Sequence, residues 1–149
     1  MPQAPLLTGQ DIAEAEGAVT RLLEQTLAKT GATTRPEYIA LRVLVARGPW
    51  ASTRELHEFL AGQRQLGLTE TAAAELLASL EDQGLASGTA AAGPGPAEAT
   101  EAGAALLARL NAAVAPTTQA LYAGFDPDDL ATTHRVLTQV IERAGQLQA

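Results

Sequence analysis

Helix starts and stops recur so often along this chain that they leave almost no room for a sheet, and that punctuation limits the fold more than any other feature. Six segments are marked by their caps. The first runs from about Gly9 to Lys29, opened by Thr8 and Asp11 at capping-box spacing and stopped by Gly31. Ile12, Val19, Leu22, Leu23 and Leu27 fall close to one stripe of it. The second starts near Pro36 and ends before Gly48-Pro49; from Tyr38 to Val45 it is apolar nearly all round, which predicts a central, buried helix. A short third helix opens with Ser52 and Glu55 and closes by Gly62, with Leu56, Phe59 and Leu60 on its apolar side. Thr69 caps a fourth that reaches Gln83, and Gly84 suits a left-handed C-terminal turn. Thr100 caps a fifth carrying Leu106, Leu107, Leu110 and Val114, which Pro116 is expected to interrupt or kink before Leu121 and Tyr122. The sixth begins at Asp126 with Pro127 in its first position. Asp128 and Asp129 then face the positive end of the helix dipole, and Val136, Leu137, Val140, Ile141 and Leu147 form its stripe.

One stretch breaks the helical pattern. Leu85 to Thr89 reads as a short strand, and Ala90 to Pro96 as a glycine- and proline-rich loop. The fold class is therefore mainly α. The 149 residues show no internal repeat and suit a single domain over 1–149. At 46% hydrophobic and 18% charged residues the chain is globular in composition. No apolar run approaches the roughly 20 residues of a membrane span, and no basic-then-apolar leader is present, so no membrane partner is expected and the cytoplasm is the expected location. The absence of cysteine removes disulfides, thiolate metal sites and cysteine nucleophiles.

The chemistry of catalysis is missing from the sequence. No Ser-His-Asp arrangement, phosphate loop or dinucleotide fingerprint appears, and Gly93-Pro94-Gly95-Pro96 is too rich in proline to cradle phosphate. His57 and His134 are far apart and lack carboxylates at ligand spacing. Neither enzyme activity, nor a cofactor, nor a metal is expected. Tyr38 and Arg42 lie one turn apart on the second helix. A buried arginine needs a partner, either an anionic ligand or a carboxylate such as Glu14 or Glu16 of the same or a second chain. Trp50, after Gly48-Pro49, is either a packing anchor or a ligand platform.

The run from Leu66-Gly67-Leu68-Thr69 through the leucine stripe Leu76, Leu77 and Leu80 to Gly84-Leu85 resembles the helix-turn-helix of the MarR family of bacterial transcription regulators. Ala99-Thr100-Glu101-Ala102-Gly103-Ala104-Ala105-Leu106 is similar to that family's Leu-Thr-x-x-Gly-x-x-Leu segment, with alanine in place of the first leucine. The order of elements matches from roughly Thr8 to Gln146. The resemblance implies a winged helix-turn-helix with long N- and C-terminal dimerisation helices, about 9–29 and 100–147, around a DNA-binding lobe of about 35–99. It further implies a homodimer that offers its fourth helix to the major groove and its wing to the minor groove of double-stranded DNA. It also implies a small aromatic or anionic ligand held near Tyr38, Arg42 and Trp50. The candidate DNA-contacting residues are Thr53, Arg54, Arg64, Thr69, Thr71 and Glu75. Several have plainer roles open to them: Thr69 as a helix cap, Thr71 as a solvated side chain, Arg54 as the i,i+4 partner of Glu58.

Charge runs against the usual DNA-binding pattern. The chain holds 10 Lys+Arg against 17 Asp+Glu, a net charge of −7, whereas phosphate contacts from cations supply much of a DNA-binding protein's affinity. From Gln65 to Ala108 no residue is basic, so the wing, Gly88 to Ala99, lacks the arginine that the family's Asp-x-Arg motif supplies. With Ala73, Leu76, Leu77 and Leu80 facing inward, helical spacing places Thr71, Glu75, Ala78 and Asp82 on the side that would meet a groove.

Overall fold

Apart from Thr34, which the sequence did not single out, the caps that set the helices are the anticipated ones. A computed structural model describes residues 5–63, 66–89 and 96–148. Its elements run α1 (Gly9–Lys29), α2 (Arg35–Arg47), α3 (Thr53–Ala61), α4 (Glu70–Asp82), β1 (Ala86–Ser87), β2 (Glu98–Ala99), α5 (Glu101–Tyr122) and α6 (Pro127–Leu147). Thr8 with Asp11, and Thr34 with Glu37, form reciprocal capping boxes at the starts of α1 and α2. Ser52, Thr69 and Asp126 each accept a backbone N–H of the first turn they precede. α4 ends in a Schellman turn: the Gly84 N–H donates to the Glu81 carbonyl and the Leu85 N–H to the Leu80 carbonyl, with Gly84 at φ +76°.

The chain divides into two compact units, residues 1–115 and 116–149. In the first, Leu27, Leu41, Leu44, Leu56, Leu60, Leu77, Leu80 and Leu110 are fully buried and form one core fed by α1 to α5. Each such leucine contributes about 1.5–3 kcal/mol relative to exposure. α2 gives this core Tyr38, Ala40, Leu41 and Leu44, but it is not buried all round: Arg42, Val45 and Arg47 are exposed. The Tyr38 hydroxyl, at the core's edge, donates to the Asn111 amide oxygen of α5 at 2.7 Å.

β1 and β2 pair antiparallel, Ala86 with Ala99 and Ser87 with Glu98. Trp50 adds a one-residue bridge to Ala97, exchanging two backbone hydrogen bonds of 2.8 and 3.0 Å. The return from β2 into α5 is tight. The Thr100 hydroxyl donates to the Gly84 carbonyl and accepts the Gly103 N–H, and a Cβ on Gly103 would stand 2.0 Å from the Leu85 carbonyl oxygen. Only glycine allows α5 to start this close to the preceding turn.

In the second unit, Asp126, Pro127 and the first-turn carboxylates of Asp128 and Asp129 start α6. No residue of α6 is buried within the chain: Val136, Val140, Ile141 and Leu147 are exposed, Ile141 at 72% and Leu147 at 80%. α5 is not interrupted at Pro116, as its sequence suggested, but runs on to Tyr122. The missing N–H costs one hydrogen bond, to the carbonyl of Ala112, whose exposure lets water replace it. No described helix is long and apolar enough to cross a membrane.

Candidate nucleic-acid interface

α3 and α4 pack against each other through Leu56, Leu60, Ala73 and Leu77, and this burial fixes which side of α4 faces outward. Its exposed residues are Glu70 at its start and then Thr71, Glu75, Ser79 and Asp82, with Ala78 half-buried beside them. Thr69 caps the helix through a 3.0 Å bond from the Ala72 N–H. Its hydroxyl is thus already engaged, but an acceptor oxygen leaves its own hydrogen free for a second bond. Arg54, exposed on α3, pairs with Glu58 at 3.2 Å. An exposed pair of this kind is worth about 0.5 kcal/mol, too little to keep the guanidinium from a phosphate. Arg64 lies outside the described residues, as do residues 90–95 of the glycine-rich loop.

Thr53 departs from its expected role. It is 1% exposed, and its hydroxyl donates to the Gly88 carbonyl. Burial and that bond commit it to the root of the wing rather than to DNA. Three further groups secure the same root. The Gly88 N–H donates to the Glu81 carboxylate at 2.7 Å, the Thr89 hydroxyl donates to the Leu77 carbonyl at 3.0 Å, and the His57 ring Nε2 lies 3.4 Å from the Thr89 carbonyl. Gly88 has φ +71°, and a Cβ there would stand 2.1 Å from the Pro96 carbonyl oxygen. The wing's first arm is therefore fixed to α3 and α4 where the loop begins. His57, which the sequence left without a role, takes part in that anchorage, and the described residues contain no group of three or more ligating side chains able to hold a metal.

The three residues expected around a small ligand separate into two places. Tyr38 and Arg42 come together, the Arg42 guanidinium 5.6 Å from the Tyr38 ring centroid. Arg42 is exposed rather than buried, so it requires no carboxylate, and neither Glu14 nor Glu16 pairs with it in the chain. Trp50 has other neighbours: it bridges Ala97 and its ring lies 5.3 Å from that of Phe59, over which Arg47 stacks at 4.7 Å. Its indole N–H is buried without a hydrogen-bond partner among the described residues. A concavity of about 440 Å³ opens where α1 meets α2, but it is lined by Glu24, Ala28 and residues 32–36 rather than by Tyr38 or Arg42.

No family sequence model matches the chain, and no curated protein matches it by sequence. Solved structures do. A MarR family protein of Mycobacterium tuberculosis in complex with DNA is similar over 93% of this chain and 98% of its own, at 28% identity and a TM-score of 0.67. Wild-type MarR from E. coli in its apo form matches over 93% and 98%, at 19% identity and a TM-score of 0.69. The PcaV transcriptional regulator of Streptomyces coelicolor in complex with its natural ligand matches over 97% and 99%, at 23% identity and a TM-score of 0.66.

The fold is that of the MarR regulators. In MarR terms α3 and α4 are the helix-turn-helix and β1 and β2 carry the wing. The Trp50 bridge supplies that sheet's third edge, which a single residue with no alternation around it does not announce in a sequence. The wing's anchoring residues were also missed. Thr53, His57, Glu81 and Thr89 carry no shared spacing, and Gly88 alone, a glycine beside a short strand, hinted at a close backbone approach.

Proposed function

We propose that two copies of this chain form a transcription regulator that docks on duplex operator DNA, with the outward faces of their α4 helices in successive major grooves. The observation that carries this reading is the α3–α4 pair itself. Its inward side is consumed by core packing, while Thr71, Glu75 and Ser79 stand exposed on a helix of the length and setting of a recognition helix. Thr69, Thr71 and Arg54 are the side chains available to phosphate and base edges, and Arg64, five residues before Thr69 in the sequence, is a further candidate. A second copy is supported by the exposed apolar residues Ile12 and Val19 of α1 and Val136, Val140, Ile141 and Leu147 of α6, which a lone chain leaves in water. The lobe of about 35–99 would then carry DNA contact and the long helices assembly. Arg42 on the face of Tyr38 suits an anionic aromatic ligand that tunes binding, and action on DNA places the protein in the cytoplasm.

A second reading rests on the wing without a cation and the carboxylate in α4: the same dimer without a grip on DNA, acting as a ligand- or protein-binding module. Fluorescence anisotropy on labelled duplex across a salt series separates the two. Each phosphate neutralised lowers log affinity by about 0.9 per decade of salt, so the regulator reading predicts measurable binding with a shallow slope. Glu75→Arg removes a carboxylate and adds a cation. It should raise affinity for arbitrary duplex at low salt and steepen the slope by roughly 1 per added contact. Should neither protein bind at any salt, the second reading takes the place of the first.

A further inference from the structure

We propose that Glu75 reads a cytosine in the major groove, a specificity contact that rests on the DNA-binding reading and goes beyond it. Asp82 is also exposed and makes no hydrogen bond or ion pair among the described residues, but it ends α4, far from the N-terminal residues by which such a helix meets base edges. The remaining carboxylates nearby have local reasons to be where they are. Glu81 accepts the Gly88 N–H. Glu37 caps α2 and also accepts from Gln83, whose amide further donates to Ser79. Glu70 sits in the first turn of α4, where the helix dipole favours a negative charge. Glu75 lies in the middle of α4, one turn past Thr71, is exposed, and makes no hydrogen bond or ion pair among the described residues. At that place a carboxylate gains nothing from the dipole and is repelled by phosphates, so on most sequences it weakens docking.

One base edge reverses the sign. An ionised carboxylate only accepts hydrogen bonds. Guanine offers it two acceptors, thymine an acceptor and a methyl group, and adenine a donor flanked by the N7 acceptor; cytosine alone presents the N4 amino donor with no acceptor of its own beside it. Glu75 thus converts its repulsion into selection: duplexes without cytosine at that position meet an unpaired carboxylate, and those with it satisfy the charge. Cations are absent from Gln65 to Ala108, so no neighbouring arginine on α4 or the wing overrides the choice by gripping guanine or phosphate.

Selection from a randomised duplex library at low salt, run in parallel on the wild type, Glu75→Ala and Glu75→Gln, tests this. The wild type should enrich cytosine at one position of each half-site by about tenfold over other bases. Glu75→Ala should lose the preference at that position alone and keep the remainder of the motif. Glu75→Gln, able to donate as well as accept, should move it toward adenine. Because the side chain is exposed, circular dichroism of all three should coincide. An unchanged motif in Glu75→Ala overturns the assignment while leaving DNA binding intact. Failure of all three proteins to enrich any duplex overturns it together with the regulator reading on which it rests.

Discussion

α4 and α6 carry the same kind of message in sequence, an aliphatic stripe at helical spacing, yet they end in opposite environments. The stripe of α4 is consumed within its own chain: Ala73, Leu77 and Leu80 are fully buried against α2, α3 and the wing root. That of α6 is not: Val136, Val140 and Leu147 remain exposed along a shallow groove of about 330 Å³ that Gln139 and Arg143 border, and Ile141 is exposed outside it. At about 1.5–3 kcal/mol for each large side chain fully buried, several kcal/mol of burial stay unrealised on α6. Periodicity reports that a face is to be covered; it does not say which chain covers it. The core fed by α1 to α5 is closed within one chain, with Leu27 of α1 and Leu110 of α5 buried in it, whereas the apolar face of α6 is left uncovered.

The sharpest way to break this contrast is to cut the core. Leu41→Ala removes a fully buried side chain from α2 and should cost about 2–5 kcal/mol, read as a lowered urea midpoint. A loss below 1 kcal/mol would mean that this core is not what holds the single chain together. Gly88→Ala comes next, at about 2–3 kcal/mol, because the new methyl group meets the Pro96 carbonyl and alanine disfavours φ +71°. Amide exchange at the wing root should rise with it. The smallest of these changes is Thr53→Val, which keeps the shape and deletes the hydroxyl that satisfies Gly88. It should cost about 1–2 kcal/mol and loosen the wing more than the core, so that exchange at Gly88 and Thr89 increases before that of α2.

What the sequence made legible follows the same division. Helix limits were readable because caps act locally: Thr8, Ser52, Thr69 and Asp126 bind N–H groups two or three residues away, and only the Thr34 cap of α2 went unnoticed. The outward face of α4 was readable because three-dimensional neighbours merely fill a stripe that 3.6-residue spacing already defines. Thr53 misled because a hydroxyl in the first turn of α3 has the same appearance whether it meets a phosphate or, 35 residues on, the Gly88 carbonyl. Arg42 misled in the opposite direction. An apolar run suggested burial all round, whereas the arginine marks a side of α2 that reaches solvent, stacked on Tyr38. Long-range partners decide both cases, and no local pattern encodes them.

The central claim is that the exposed faces of the long helices are closed by a second copy, since a pair of α4 helices on one duplex depends on it. Light scattering at micromolar concentration, on the wild type and on Ile141→Asp, tests this most directly. The account predicts a wild-type mass of about twice 15.4 kDa, and a mass close to 15.4 kDa for the variant, with its circular dichroism retained. A wild type that scatters as a single 15.4 kDa chain would contradict it.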